Sequence, residues 1–159
     1  MKFLKRFNES KEDDVDHFLN KILREAEYLK WTIRHDGSYD FDGNVIIMGI
    51  RELPITIGSV NGNFLCLSRN LETLKGFPRY VSKSFSIQLA NLITSLEGCP
   101  EGVTGRFYCG GTGITDLKGA PRMVGGFDCK ECALLTSLEG LPNVIGGGTG
   151  YAKTRIDKL

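Results

Sequence analysis

Between residues 10 and 30 (SKEDDVDHFLNKILREAEYLK) the apolar positions Val15, Phe18, Leu19, Ile22, Ala26 and Leu29 recur at three-and-four spacing, one face of a helix. The pattern predicts an amphipathic helix with Ser10 as its N-cap and Glu12, Asp13 and Asp14 in the first turn, where the helix dipole favours anions. Beyond residue 36 that period disappears. Asp36-Gly37 and Asp42-Gly43 are turn dipeptides, and short apolar stretches with a period of two follow them.

Those stretches belong to a repeat. Leu53, Leu74, Leu96, Leu117, Leu138 and Leu159 are separated by 21, 22, 21, 21 and 21 residues, and three positions before each stands Ile50, Leu71, Ile93, Ile114, Leu135 or Ile156. Glycines follow at Gly76, Gly98, Gly119 and Gly140, and prolines at Pro78, Pro100, Pro121 and Pro142. An aliphatic comes three residues after each proline (Val81, Val103, Val124, Ile145). A Phe column follows (Phe64, Phe85, Phe107, Phe127), and two residues beyond it stand Cys66, Ile87, Cys109 and Cys129. A unit of this size cannot bury its apolar side alone, so the fixed step predicts a solenoid whose stacked columns make one continuous core. The Phe-x-Cys spacing predicts a short strand with two side chains inward and the intervening ones outward. In Leu-Glu-Gly-x-Pro the proline fixes its own φ and pushes the preceding residue to extended geometry, so an extended back is expected.

The expected fold is therefore an α+β solenoid, a leucine-rich-repeat-like stack of about five 21-residue rungs with short parallel strands. Residues 1–35 are expected to form the N-terminal helical cap and 36–159 the solenoid, together one structural domain. Residues 149 and 151 fall in the Phe and Cys columns of a decayed last rung, and Ile156 with Leu159 would open a further one, leaving an edge to cover.

Composition adds the setting. Lys and Arg number 20 against 19 for Asp and Glu, so no net field points to a polyanion, and nucleic acid is not expected as a partner. No apolar run is long enough to cross a bilayer and MKFLKRF lacks the apolar core of a signal peptide, so the chain reads as cytoplasmic with no membrane partner. Five cysteines, an odd number in such a chain, argue for reduced thiols.

The order Leu-x-x-Leu, proline, aliphatic, apolar-x-apolar strand resembles the short leucine-rich repeats of bacterial effector proteins, which have an N-terminal helical cap. Asn70 and Asn91 are placed like the asparagines that follow the strand in that class, whereas Thr112-Gly113 and Ala133-Leu134 depart from it. The Gly-x-Phe-x-Cys and Leu-Glu-Gly-x-Pro wording, opened by Asp36 to Asn44, is similar to repeat proteins of tailed bacteriophages. The resemblance covers residues 36–159. It implies binding, in the cytoplasm of a bacterial host, and no catalysis, since the effectors' ubiquitin-ligase domain has no counterpart in these residues.

Candidate chemistry inside the repeat is weak. Cys129 and Cys132 have the CxxC spacing of half a zinc site, with Cys109 one rung away, but no second CxxC or nearby His completes four ligands, and Cys129 shares its column with Ile47 and Ile87. Cys99 occupies the slot of Phe77, Ala120 and Leu141. His17 and His35 accompany no nucleophile. The run 146–150 (GGGTG) could cradle an anion, yet no Gly-Lys-Ser/Thr or following helix accompanies it. No metal, cofactor or catalytic residue is expected.

What remains is the outward side of the strands, where the frame leaves residue choice free. Leu65, Leu67, Gln88, Arg106, Tyr108, Asp128 and Lys130 are the expected binding residues, with Leu65, Arg106 and Tyr108 as anchors, because aromatic and arginine side chains dominate binding energy. The expected partner is a host enzyme or defence factor. Two alternatives stand beside it: a homo-oligomeric module, such as a homodimer, assembled through the C-terminal solenoid edge, and a small-ligand or nucleotide-binding regulator using the glycine cluster.

Overall fold

The structure, a computed structural model, describes residues 15–20, 29–146 and 149–150. It is a β-solenoid of about five turns. The expected helix over 10–30 falls largely outside the described residues; 15–20 are helical, with Phe18 and Leu19 buried in the common core. Between residues 29 and 146 no segment is helical, so the back of each rung is built from turns and extended chain.

Two parallel ladders run side by side along the stack. The first contains β2 (Tyr39–Asp42), β4 (Ile57–Asn61), β6 (Tyr80–Val81), the opening halves of β8 (Gly102–Tyr108) and β9 (Met123–Asp128), and β10 (Asn143–Val144). The second contains β3 (Val45–Met48), β5 (Phe64–Leu67), β7 (Phe85–Ser86), the closing halves of β8 and β9, and β11 (Thr149–Gly150). A hairpin strand, β1 (Lys30–Ile33), pairs antiparallel with β2 through the Asp36-Gly37 turn, where Gly37 has φ 81°.

The columns read from the sequence are stacked inside. Val45, Phe64, Phe85, Phe107 and Phe127 are in register, and the four rings lie nearly parallel with centroids 5.5, 5.2 and 5.8 Å apart. Ile47, Cys66, Ile87, Cys109 and Cys129 are all buried, as are Leu71, Leu74, Ile93, Leu96, Ile114, Leu117 and Leu135. One position is corrected. In the last rung Val144, not Ile145, stands opposite Val124, because here the inward aliphatic comes two residues after the proline (Pro142) where the earlier rungs have three; Ile145 is 70% exposed.

The repeated phrase proves to be a turn device. The hydroxyl or carboxylate of Thr73, Ser95, Asp116 and Ser137 accepts a hydrogen bond from the backbone N–H two residues on, at Lys75, Glu97, Lys118 and Glu139. Phe77, Cys99, Ala120 and Leu141 then donate back to the carbonyls of Leu74, Leu96, Leu117 and Leu138, closing a four-residue turn each time. Its third residue is Gly76, Gly98, Gly119 or Gly140, with φ between 80° and 92°, where glycine alone carries no steric penalty.

Candidate functional site

The outer face of the second ladder starts with an apolar block. Register places Ile46 beside Leu65 and Met48 beside Leu67, so four large apolar side chains from two successive rungs lie together. Three of them, Ile46, Met48 and Leu67, are 39–47% exposed. Sequence reasoning found Leu65 and Leu67 and missed Ile46 and Met48, because Val45-x-Ile47 carries the period of two without the Phe that marks later rungs.

Further along the same ladder the face turns polar and aromatic. Ser86, Tyr108, Asp128 and Gly150 continue the column that Ile46 and Leu65 begin. The Arg106 guanidinium lies 5.8 Å from the centre of the Tyr108 ring, within range of a cation–π contact. It has room to lie across the sheet because its neighbour in register is Gly126, where a Cβ would meet the Arg106 Nε at 2.8 Å. Gln88 and Lys130 are exposed, each two residues beyond its strand. Asp128 stands at an outward position but is buried, accepting a hydrogen bond from the Lys130 backbone N–H at 3.0 Å with the Lys130 ammonium 3.8 Å away. The seven expected residues therefore share one ladder, and Asp128 acts within it chiefly as a partner of Lys130.

Polar side chains at the joint between the ladders hold this face in register. Asn44 accepts from the backbone N–H of Asn63, Asn63 accepts from that of Ser84, and Ser84 accepts from that of Arg106. Each rung thus caps a free N–H of the next.

The first ladder has its own concavity, an open groove of about 490 Å³. Tyr80, Met123 and Ile145, all more than half exposed, border it, with Asn61, Ser82 and Thr104 along its floor and walls. None of its lining residues is basic, which counts against a phosphate ligand. Near the start of that ladder the Arg34 Nε donates to Asp40 at 2.7 Å, and Ser59 donates to the same carboxylate. Partial burial pushes Asp40 up, but the hydrogen bonds and the Arg34 charge outweigh it and leave its pKa below the usual carboxylate value. Asp36 is lowered by the hydroxyl and amide of Ser38.

Four of the five cysteines are buried and Cys99 is partly so. Burial pushes the Cys66 thiol up to about 12. Cys109 and Cys129 share the inward column, and Cys132 lies at the following corner, in line with Thr112 of the rung before; Cys109, Cys129 and Cys132 are all fully buried. Among the described residues no group of three or more His, Cys, Asp and Glu is placed to hold a metal. His17 and His35 are exposed. In the glycine cluster, Gly146 donates to the Gly125 carbonyl and Thr149 pairs with Phe127, so both continue the frame; residues 147 and 148 lie outside the described set, as do Tyr151, Ile156, Leu159 and the C-terminal edge. No described helix is long and apolar enough to cross a membrane.

No family model, curated protein or solved structure matches the chain. The ladders themselves carry the functional reading.

Proposed function

We propose that the protein is a non-catalytic protein-binding module that engages its partner through the outer face of the second ladder. The observation that carries this reading is the block of Ile46, Met48, Leu65 and Leu67 on the same ladder face as the Arg106–Tyr108 pair, with the Ser86 rung between them. Large apolar side chains sharing a face with an arginine and an aromatic match the composition of a binding hot spot, and the rigid frame beneath them means little ordering entropy opposes association. None of these six residues is part of the inward columns.

The repeat wording places the module, as a proposal, with leucine-rich-repeat and phage-type repeat proteins, and its partner with the enzymes or defence factors of a bacterial host. Binding there would act by occlusion. The test is affinity capture from a bacterial lysate with wild-type protein and with Arg106→Ala/Tyr108→Ala. A partner held by wild type and lost by the variant, with folding unchanged, supports the reading; equal recovery by both sinks it.

A second reading rests on the groove of the first ladder. Its aromatic and sulfur-bearing rim over amide and hydroxyl groups suits a neutral, elongated ligand lying across the rungs. Tyr80→Ala separates the two readings, since it alters the groove and leaves the second ladder untouched.

A further inference from the structure

The corner after the second ladder needs a small residue that satisfies a carbonyl. At the equivalent corners Ser68 donates to the Ile50 carbonyl and Thr112 donates to the Cys109 carbonyl at 2.7 Å, while Ala90 is buried with no side-chain donor. Cys132 makes the corresponding contact in the next rung, its thiol 3.2 Å from the Cys109 carbonyl oxygen and 3.4 Å from the Thr112 hydroxyl. The frame therefore accepts Ser, Ala or Thr at this corner, and the Cys109 column accepts Ile47 and Ile87. Packing does not demand a cysteine at either place. Both positions nevertheless carry one, on adjacent rungs, with the Cys132 thiol set against the Cys109 backbone carbonyl.

We propose that Cys109 and Cys132 form a dithiol oxidation site that a peroxide converts into a disulfide joining two rungs. Both side chains are fully buried, so the oxidant class that fits is a small one of water-like size, such as hydrogen peroxide. In the first step the Cys132 sulfur attacks one peroxide oxygen; an S–O bond forms, the O–O bond breaks, and hydroxide leaves and takes the Cys132 proton as water. In the second the Cys109 sulfur attacks the resulting sulfenic acid; an S–S bond forms, the S–O bond breaks, and the departing hydroxide takes the Cys109 proton as a second water. Two electrons pass from the two thiols to one peroxide.

The roles divide by environment. Hydrogen bonding with Cys109, and then to the Thr112 side chain and backbone and to Gly111, pulls Cys132 down to about 6 against the effect of burial. Burial and the neighbouring Cys132, Cys129 and Cys99 hold Cys109 well above the usual thiol value. Cys132, whose sulfur lies between the Thr112 hydroxyl and the Cys109 carbonyl, takes the part of first nucleophile and Cys109 that of resolving thiol. The bond would close a loop between positions 23 apart and fix the rungs that carry Arg106, Tyr108, Asp128 and Lys130.

The experiment treats folded protein with hydrogen peroxide, then maps disulfides by mass spectrometry after alkylation without reductant. The expected result is a Cys109–Cys132 link with the other three thiols alkylated. Its formation should raise Tm by roughly 5–10 °C, reversed by dithiothreitol. Cys132→Ser, which keeps a hydroxyl donor for the Cys109 carbonyl as Ser68 does for Ile50, should fold and show no peroxide-dependent shift. Five alkylated thiols in treated wild type, or a Cys109–Cys129 link in place of Cys109–Cys132, overturns the proposal without recourse to any variant.

Discussion

Gly119 lies directly over Leu96 of the preceding rung, so close that a Cβ at residue 119 would stand 2.8 Å from the Leu96 carbonyl oxygen. Its φ is 85°. Backbone therefore stacks on backbone at this corner. Gly119→Ala adds a left-handed penalty of about 1 kcal/mol to a clash that only backbone movement relieves, and should cost more than about 3 kcal/mol in urea denaturation. Thr115→Ala, at an exposed site on the same rung, should stay within about 0.5 kcal/mol.

The phenylalanine column should respond to volume. Phe107 is fully buried between Phe85 and Phe127. Phe107→Ala should destabilise by about 3–5 kcal/mol, and Phe107→Leu by distinctly less, because leucine refills most of the space. Each rung contacts only its neighbours, so the alanine variant should also broaden the unfolding transition and lower its m-value as the two halves of the stack uncouple.

Leu89 should behave in the opposite sense. It is a half-exposed leucine at φ 65°, three residues beyond the end of β7, while its hydrogen-bonded neighbour rung places Gly111 at φ 71°. Leu89→Gly removes the left-handed penalty of about 1–2 kcal/mol and adds unfolded-state entropy of about 0.5–1 kcal/mol, so stability should hold or rise slightly. A clear loss of stability in thermal melts would contradict that accounting.

Acid should loosen the start of the first ladder. Asp36 and Asp40 both have folded pKa values below their ordinary ones, so the stability they contribute is present above the ordinary carboxylate range and is lost as pH falls through the folded values. The urea midpoint should decline from the ordinary carboxylate range downward. Asp40→Asn, which gives up the charge opposite Arg34, should flatten that decline.

Much of the frame was legible because the repeat makes its own alignment: residues that recur every 21 or 22 positions face inward, and the columns of Phe, Cys, Leu and Ile do so. The glycine and proline columns marked turns for the same reason. Details that depend on a single rung were not legible. The shift from Ile145 to Val144 follows from one missing residue, and a fixed offset from Pro142 hides it. The burial of Asp128 follows from its pairing with Lys130 and its place beside Tyr108, which no period reports. Ile46 and Met48 escaped because the first rung lacks the Phe signature. The division of each rung into two ladders, and hence the groove under Tyr80, depended on strand register.

The recurring Leu-Thr-Ser-Leu-Glu-Gly phrase is accounted for entirely by inward leucines, a capped turn and a left-handed glycine, so binding is assigned to what does not recur. The most direct test compares partner capture and Tm for wild type and Arg106→Ala/Tyr108→Ala in parallel. The account predicts a Tm within a few degrees of wild type and at least a tenfold loss of captured partner. Undiminished capture by the double variant would contradict it.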